Sequence, residues 1–388
     1  MIPTFDLTYS LADQNFRRTK SIGILNFSVE FLNHLVCRPE LRRLIVLSNS
    51  ALQQRIEIPP NARYWHRIHD GAVAGRLGRI WWDQVGVYGA ARRSGNEWLM
   101  LPKGFASFLR NCPVRLCAYL ADVMPEYYYR TNPRAFSRLE TRYFISSMRA
   151  TVKQAEVIFT NSEFSRREIA RVARQRGWPE PRVRTMGIGF ERPPVPPRKD
   201  EVILVLAGRF PHKRTAMAIA FLAQWQKATD FPGEVHWVGH LPPSAKLPPF
   251  PRWRHDVRLA EVDYRNLLHR SRVLVFTSEY EGFGMPPVEA VLARVCPVFS
   301  SIAVTLEVMG ETGCPFINDS YESFAAALER ALRASGQTLD AWADQLLRRH
   351  NWDRVTEVFV SELLSLGCGL PRPTLNGDQT RAPRNSAS

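Results

Sequence analysis

Glu281 and Glu289 stand eight residues apart in the stretch Thr277-Ser-Glu-Tyr-Glu-Gly-Phe-Gly-Met-Pro-Pro-Val-Glu-Ala290. The stretch follows an apolar run, Arg272-Val-Leu-Val-Phe276, that reads as a strand, and it leads into a helix-like run. Pro286 and Pro287 suit the first turn of that helix, where a backbone N–H has no intrahelical partner anyway. Gly282 and Gly284 let the backbone approach a ligand closely. The helix start is expected to offer free N–H groups and a partial positive charge to an anion. Glu281 falls in the loop and Glu289 in the expected first turn. Two carboxylates in different settings beside an anion site suit a polyhydroxylated, phosphorylated ligand. Taken alone, the spacing equally fits an ordinary strand-loop-helix joint with two solvated glutamates.

A second loop of this kind follows the apolar run Val202-Ile-Leu-Val-Leu206. It carries Gly208, Arg209, His212, Lys213 and Arg214. Arginine can fork onto two phosphate oxygens and lysine adds a point charge, so this loop suits a diphosphate; a solvated basic loop is the plain alternative. No Asp-x-Asp triplet occurs, so no obvious clamp for a divalent metal is present. A diphosphate leaving group would then rely on protein cations and helix-end amides. A Walker A loop is absent, which disfavours ordinary nucleotide hydrolysis.

These loops need a scaffold, and 388 residues are enough for two domains with a core each. No run of about 18 apolar residues suggests a spanning helix. The opening Met-Ile-Pro-Thr-Phe-Asp lacks the basic and apolar regions of a secretion signal. The six cysteines, at 37, 112, 117, 296, 314 and 368, form no Cys-x-x-Cys pair, so reduced thiols in a cytoplasmic protein are expected. The net charge of +15 is uneven: residues 1–195 hold 30 Lys and Arg against 16 Asp and Glu, the remainder 22 against 21. A basic first half fits nucleic acid, an anionic membrane surface or an anionic substrate. Its basic residues are mostly arginine in an Ala- and Pro-rich chain, which composition alone could also produce.

The pattern predicts strands at 5–10, 44–47, 114–120, 155–160 and 182–186. Helices are expected at 27–36, 138–154 and after Ser165, whose spacing to Glu168 suggests a capping box. Residues 60–112 resist assignment; their tryptophans suggest a buried cluster, or else sugar stacking or a lipid-facing contact, and His66 and His69 are a candidate proton-transfer or metal pair that lacks a third ligand. The segment after Pro125 reads as loop. Pro193-Pro-Val-Pro-Pro197 marks the expected boundary. Strands then recur at 202–206, 234–238, 272–276 and 297–299, with helices at 216–227, 264–271, 323–334 and 352–366. Alternation in both halves gives an α/β chain of two doubly wound domains. The expected organisation is a first domain over 1–190, a linker over 191–200, a second domain over 201–351, a helix at 352–366 that crosses back, and a disordered tail at 367–388. Ligands in such sheets bind beyond the carboxyl ends of the strands, which places them in the cleft between domains.

The second half resembles the retaining, GT-B-fold glycosyltransferases of family 4 (glycosyl transferases group 1). The resemblance rests on Gly208-Arg209 through Lys213 and on the Glu281-Gly-Phe-Gly-Met-Pro-Pro-Val-Glu289 block. It continues through Ser300-Ser301 and Leu306-Glu-Val-Met-Gly310. The first half agrees at Asp122-Val-Met-Pro125 and Thr160-Asn-Ser162-Glu-Phe-Ser-Arg-Arg-Glu168. The resemblance implies two Rossmann-like domains facing across a cleft. It implies that Arg209 and Lys213 hold and stabilise the donor diphosphate, that Glu281 contacts the donor sugar, and that Glu289 accepts hydrogen bonds from the ribose diol. Ser278 and the stretch Gly282, Phe283, Gly284 and Met285 would line the donor, with backbone N–H groups presented from Gly282 to Met285. Gly23 would lie in a first-domain loop facing diphosphate and sugar, and Asp122 is a weaker catalytic candidate. The chain departs from the family at Ala121, where histidine is common, and at Arg294, where glycine is usual; its basic loop is about one residue shorter. Front-face attack follows from the resemblance, with the diphosphate taking the acceptor's proton.

The expected activity is therefore transfer of a sugar from a nucleoside-diphosphate donor to a glycan or lipid-linked acceptor, in polysaccharide or lipopolysaccharide synthesis. Neither metal nor cofactor is expected, and no nucleic-acid partner. The expected place is the cytoplasm, with peripheral contact to anionic lipid at the inner face of the plasma membrane. Two other classes remain open on the sequence: a nucleic-acid-binding α/β protein, which would bind oligonucleotides salt-sensitively, and a GT-B subunit without catalysis, which would bind nucleotide and transfer nothing.

Overall fold

The computed structural model describes residues 3–14, 22–57, 63–194 and 199–367. The expected tail from residue 368 onward, residues 15–21 of the expected first-domain loop that leads to Gly23, and residues 195–198 of the proline-rich connector lie outside the described residues. In chain order the first half contains β1 Phe5–Ser10, α1 Ile22–Leu35, β2 Leu41–Ser48, β3 Tyr64–Ile68, α2 Arg76–Trp81, α3 Val87–Ser94, β4 Trp98–Leu101, β5 Arg115–Tyr119, α4 Met124–Thr131, α5 Arg138–Gln154, β6 Val157–Thr160, α6 Glu163–Gln175 and β7 Val183–Thr185. The second half contains β8 Val202–Leu206, α7 Thr215–Thr229, β9 Glu234–Val238, β10 Trp253–Asp256, α8 Glu261–Arg270, β11 Val273–Phe276, α9 Met285–Leu292, β12 Cys296–Ser300, α10 Ala303–Met309, β13 Cys314–Phe316, α11 Tyr321–Leu332, α12 Gly336–Arg349 and α13 Trp352–Gly367.

The strands form two parallel sheets, ordered β3-β2-β1-β4-β5-β6-β7 and β10-β9-β8-β11-β12-β13. Both orders reverse direction once, at β1/β4 and at β8/β11, which is the doubly wound pattern. The central strands of the second sheet are apolar throughout because both faces are covered: Ile203, Leu204 and Val205 pair with Val273, Leu274 and Val275, and all six are buried. The order has a direct consequence for the site. The loops after β8 and β11, far apart in sequence, emerge side by side.

α13 packs against α1 and β1 of the first sheet. Its Trp352 stacks on His34 at 5.0 Å between ring centroids, and Phe359 meets Phe5, Phe31 and Phe159 at 6.3, 5.1 and 4.9 Å. One apolar cluster therefore runs from Leu7 and Phe159 through α13 to Val288 and Phe299, tying the two halves together.

Several expectations need correction. Met124–Thr131 is a helix, not a loop; Pro125 sits in its first turn, where proline costs nothing. The cap of α6 is Ser162, whose hydroxyl accepts from the Ser165 N–H, so the helix begins three residues before the expected box. Residues 60–112 contain β3, α2, α3 and β4. Trp82 and Trp98 are buried, but Trp65 and Trp81 are 43% and 58% exposed, so the tryptophans do not form one buried cluster. His66 meets the Ser48 hydroxyl at 2.6 Å while His69 lies against the Trp82 ring, so each has its own partner. Gly367 belongs to α13 rather than to a tail, and Glu289 lies in the second turn of α9.

Candidate functional site

The basic loop turns tightly after β8. Gly208 donates its N–H to the Thr215 hydroxyl at 2.9 Å, and that hydroxyl donates back to the Gly208 carbonyl at 2.8 Å. A Cβ on Gly208 would sit 2.6 Å from the Lys213 stem, so only glycine lets the lysine fold over the loop. The neighbouring loop is fastened to it. Thr277 donates its hydroxyl to the Lys213 carbonyl and Glu279 its N–H to the His212 carbonyl, each at 2.8 Å. The Lys213 ammonium consequently meets the Glu281 carboxylate at 2.6 Å. Arg209 is exposed, lies over the Phe210 ring at 5.1 Å, and has no carboxylate within ion-pair distance among the described residues. A lysine committed to a carboxylate and an arginine left free thus stand on one loop at the switch point.

The electrostatics separate the carboxylates. Burial works to raise Glu281, but the Lys213 ammonium and its hydrogen bond, with help from His212 and Ser278, hold the carboxyl below its usual range. Burial pushes Glu289 up to about 7, with no cation to oppose it. Burial likewise carries Asp122 up to about 6; the Met124 N–H, donating at 2.8 Å, opposes this, while the Glu281 charge adds to it. Burial and the Lys213 charge take His212 down to about 4, so its imidazole is neutral at pH 7.

The remaining expected residues fall as follows. Gly284 has φ of +85° and starts α9, a conformation that favours glycine. Pro286 and Pro287 lack N–H groups, so the helix end presents fewer donors than expected, although its partial positive charge remains. Gly23 is in the first turn of α1 rather than in a loop, and the Met285 sulfur would lie 3.6 Å from a Cβ there. Gly23 therefore does face the donor-side helix across the cleft. Ser278 is buried beside Glu281. The Phe283 ring points into the core, stacked on Phe190 at 6.0 Å, so only its backbone reaches the loop surface. Gly282 meets the first domain: a Cβ would lie 2.9 Å from both the Ala121 carbonyl and the Asp122 Cβ. Arg294 has φ of +55°, which explains why glycine suits that place; its guanidinium forks onto Asp340 at 2.7 and 2.6 Å.

The structure adds residues from both halves that the sequence pattern did not place at the site. α4 lies across the donor loops. Tyr127 donates to Glu279 at 2.9 Å and stacks on Tyr280 at 4.1 Å, while Tyr128 bonds to Nδ1 of His212 and packs near Phe210. The run Tyr127-Tyr-Tyr129 after Pro125 was the available signal, hidden once that segment read as loop. Ser162 donates to the Gly282 carbonyl at 2.6 Å and Ser165 does so at 3.0 Å. Glu307 of α10 accepts from the N–H groups of Glu163 and Phe164 at 2.7 and 2.8 Å, capping α6 from the opposite half. Asp122, Glu281, Lys213 and Gly282 are therefore brought together in a closed cleft.

The comparisons agree with this architecture. The solved structure of sucrose-phosphate synthase from Thermosynechococcus elongatus is 14% identical, covering 94% of this chain and 99% of that one, with a TM-score of 0.65. Anabaena HepE in complex with UDP and glucose is 15% identical over 93% of this chain and 100% of that one, with a TM-score of 0.63. An E. coli trehalose-6-phosphate protein bound with UDP-2-fluoro glucose is 12% identical over 92% and 99%, with a TM-score of 0.60. These likenesses show the fold. No curated protein sequence matches the chain. Residues 201–334, from the start of the second sheet through α11, match the family model described as glycosyl transferases group 1. The chain has the fold of the GT-B glycosyltransferases, and residues 201–334 in its second half are similar to the glycosyl transferases group 1.

Proposed function

We propose that the chain transfers a sugar, with retention and without a metal, from a nucleoside-diphosphate donor to a glycan or lipid-linked acceptor of a cell-surface polysaccharide or lipopolysaccharide. The observation that carries this reading is the Lys213–Glu281 pair at 2.6 Å, set at the β8/β11 switch point beside the free Arg209. A diphosphate entering there meets Arg209 as a bidentate cation, Lys213 as a point charge and the α9 start as a dipole. Together these supply the positive charge that a metal supplies elsewhere. Glu281, kept ionised by Lys213, accepts from the sugar's hydroxyls. Glu289 accepts from the ribose diol.

In the transfer step the bond from the anomeric carbon to the diphosphate oxygen breaks, and its electron pair stays on the diphosphate. The acceptor hydroxyl forms the new bond on the same face and gives its proton to a diphosphate oxygen. Arg209 and Lys213 stabilise the charge that develops on the leaving group. Asp122, which faces Glu281 across the cleft, orients the sugar from the first domain.

UDP-sugars are the first donors to test, because two similar folds were solved with UDP or a UDP-sugar analogue. A thermal-shift series with UDP, GDP and ADP and their sugars checks the reading. The matching nucleotide at about 100 times its Kd should raise the melting temperature by roughly 5 °C. No shift with any nucleotide would refute a donor site. A shift without hydrolysis or transfer from any donor would mark a GT-B subunit that binds and does not react.

A further inference from the structure

We infer that the first domain carries a docking surface for an anionic phospholipid bilayer, built from the outward side of α2, the 105–110 loop and the first turns of α5. The observation is a group of large apolar side chains left in water: Leu77 is 83% exposed, Trp81 58%, Phe108 43%, Leu109 67% and Leu139 79%. Leu77 and Trp81 stand four apart on α2 and so share a face. Arg76 bridges to Glu140 at 3.4 Å, which sets the start of α2 beside Leu139 on α5. Leu139 and Tyr143 are again four apart, and the Phe108 ring packs edge-on against Tyr143 at 5.8 Å. The 105–110 loop is fixed in that position by the Phe108 N–H donating to Gln84 at 3.1 Å. The five side chains therefore belong to one neighbourhood. Single exposed apolar residues are ordinary on a protein surface, but a group of five marks a contact.

Charge decides what covers it. Arg138, Arg142, Arg149 and Lys153 are all exposed on α5, at spacings of four, seven and four, so one face of a 17-residue helix is basic along its length. Arg110 adds to the rim. The nearby acids are already engaged, Glu140 with Arg76 and Asp83 with Lys103. Apolar side chains rimmed by arginine are the composition of an interfacial membrane contact, in which aromatic and leucine groups enter the headgroup region and cations meet anionic lipid. No helix among the described residues is long and apolar enough to cross a membrane, so the contact is peripheral. The place is informative too. Phe136, two residues before the start of α5, packs against Phe210 at 6.4 Å, next to Arg209. The surface borders the mouth of the cleft, so a lipid-linked acceptor held in the bilayer would arrive at the reacting end of the donor. That last point rests on the proposed transfer; the surface itself rests only on exposure and charge.

The test is flotation of the full chain with vesicles of phosphatidylcholine alone and of phosphatidylcholine with one quarter phosphatidylglycerol, at 0.1 M and 0.5 M salt. Expected is binding to the anionic vesicles that weakens at high salt. Leu77→Ser with Trp81→Ser should reduce it about tenfold or more, and Arg138→Glu with Arg142→Glu should do the same. The charge-matched control Arg333→Glu with Arg348→Glu, on the second domain, should bind as the wild type does. Nucleotide-induced thermal shifts, unchanged in every variant, would show that folding and the donor site survive. Equal binding of wild type and patch variants would overturn the inference. So would a wild-type dimer that the Leu77/Trp81 variant dissociates without any vesicle binding, since a second copy would then be the occupant. A wild-type chain that binds nucleotide but no anionic vesicle refutes this surface alone, and one that binds vesicles through the patch but shows no nucleotide shift refutes the donor reading alone.

Discussion

Replacing Lys213 by methionine removes the cation while keeping most of the stem, and it isolates what the ammonium does for Glu281. The pair is neither fully buried nor free: the Lys213 side chain is 30% exposed and that of Glu281 16%. An exposed pair contributes about 0–1 kcal/mol, and breaking a buried one costs about 3–5 kcal/mol. An intermediate setting gives about 1.5–3 kcal/mol of lost stability at pH 7. Its sign with pH is fixed by the carboxyl. In the wild type Glu281 is held below its unfolded value of about 4.3, so its stabilisation is present above that pH and is lost as pH falls through the lower folded value. In the variant burial is opposed only by His212 and the Ser278 hydrogen bond and raises the carboxyl, so stability is lost as pH rises through the raised value. The difference between the two proteins should therefore be largest near pH 7 and shrink below about pH 4.3. Urea midpoints between pH 7 and pH 3.5 measure it, and the cycle with Glu281→Gln isolates a coupling of about 1–3 kcal/mol. A coupling below about 0.3 kcal/mol, or a difference that does not change with pH, would refute the argument that Lys213 keeps Glu281 ionised.

Arg209→Ala should lower kcat by about 10²–10³ in initial-rate assays with the matching donor, as loss of one leaving-group stabiliser does; unchanged turnover would remove it from the mechanism. Donor affinity should rise through neutral pH, because Glu289, at about 7 in the free protein, must ionise to accept from the ribose diol. Calorimetry should find binding about tenfold weaker at pH 6 than at pH 8, and Glu289→Gln should bind weakly with no such dependence. Phe359→Ala should cost about 3–5 kcal/mol in urea unfolding, because the ring is fully buried among Phe5, Phe31 and Phe159; a cost below about 1 kcal/mol would mean that α13 does not hold the first sheet.

The parts of the fold that were legible in the sequence are those whose periodicity is strong and local. Val202–Leu206 and Val273–Phe276 read as buried strands because nothing in either run is polar, and α5 matched its expected bounds of 138–154. The edge strand β10, Trp-Arg-His-Asp, was not legible because only one side of it is paired and its two central side chains, Arg254 and His255, are exposed. α4 was missed because Pro125 signals a break unless it lies in the first turn, which the sequence does not announce. The same asymmetry holds at the site. Glu281, Glu289, Arg209 and Lys213 were accessible from residue type and spacing within one loop each. Tyr127, Tyr128, Ser162 and Glu307 act on residues 84 to 152 positions away, through contacts that exist only once the two halves meet. The left-handed Arg294 shows a third limit: the backbone position that favours glycine is retained, and the bidentate Asp340 contact, 46 residues on, is invisible to a local pattern.

The cap on α6 has a kinetic consequence. Its first N–H groups are satisfied by Glu307, from the other half, and the Ser162 hydroxyl that caps it also holds the Gly282 carbonyl of the donor loop. Parting the two halves would hand those amides and that carbonyl to water and fray the helix start at the same moment. Opening is thus a small local melting event rather than a free hinge swing, with a temperature dependence steeper than that of diffusion. Donor arrival then waits on the protein, and the association rate constant should report how often α6 comes uncapped.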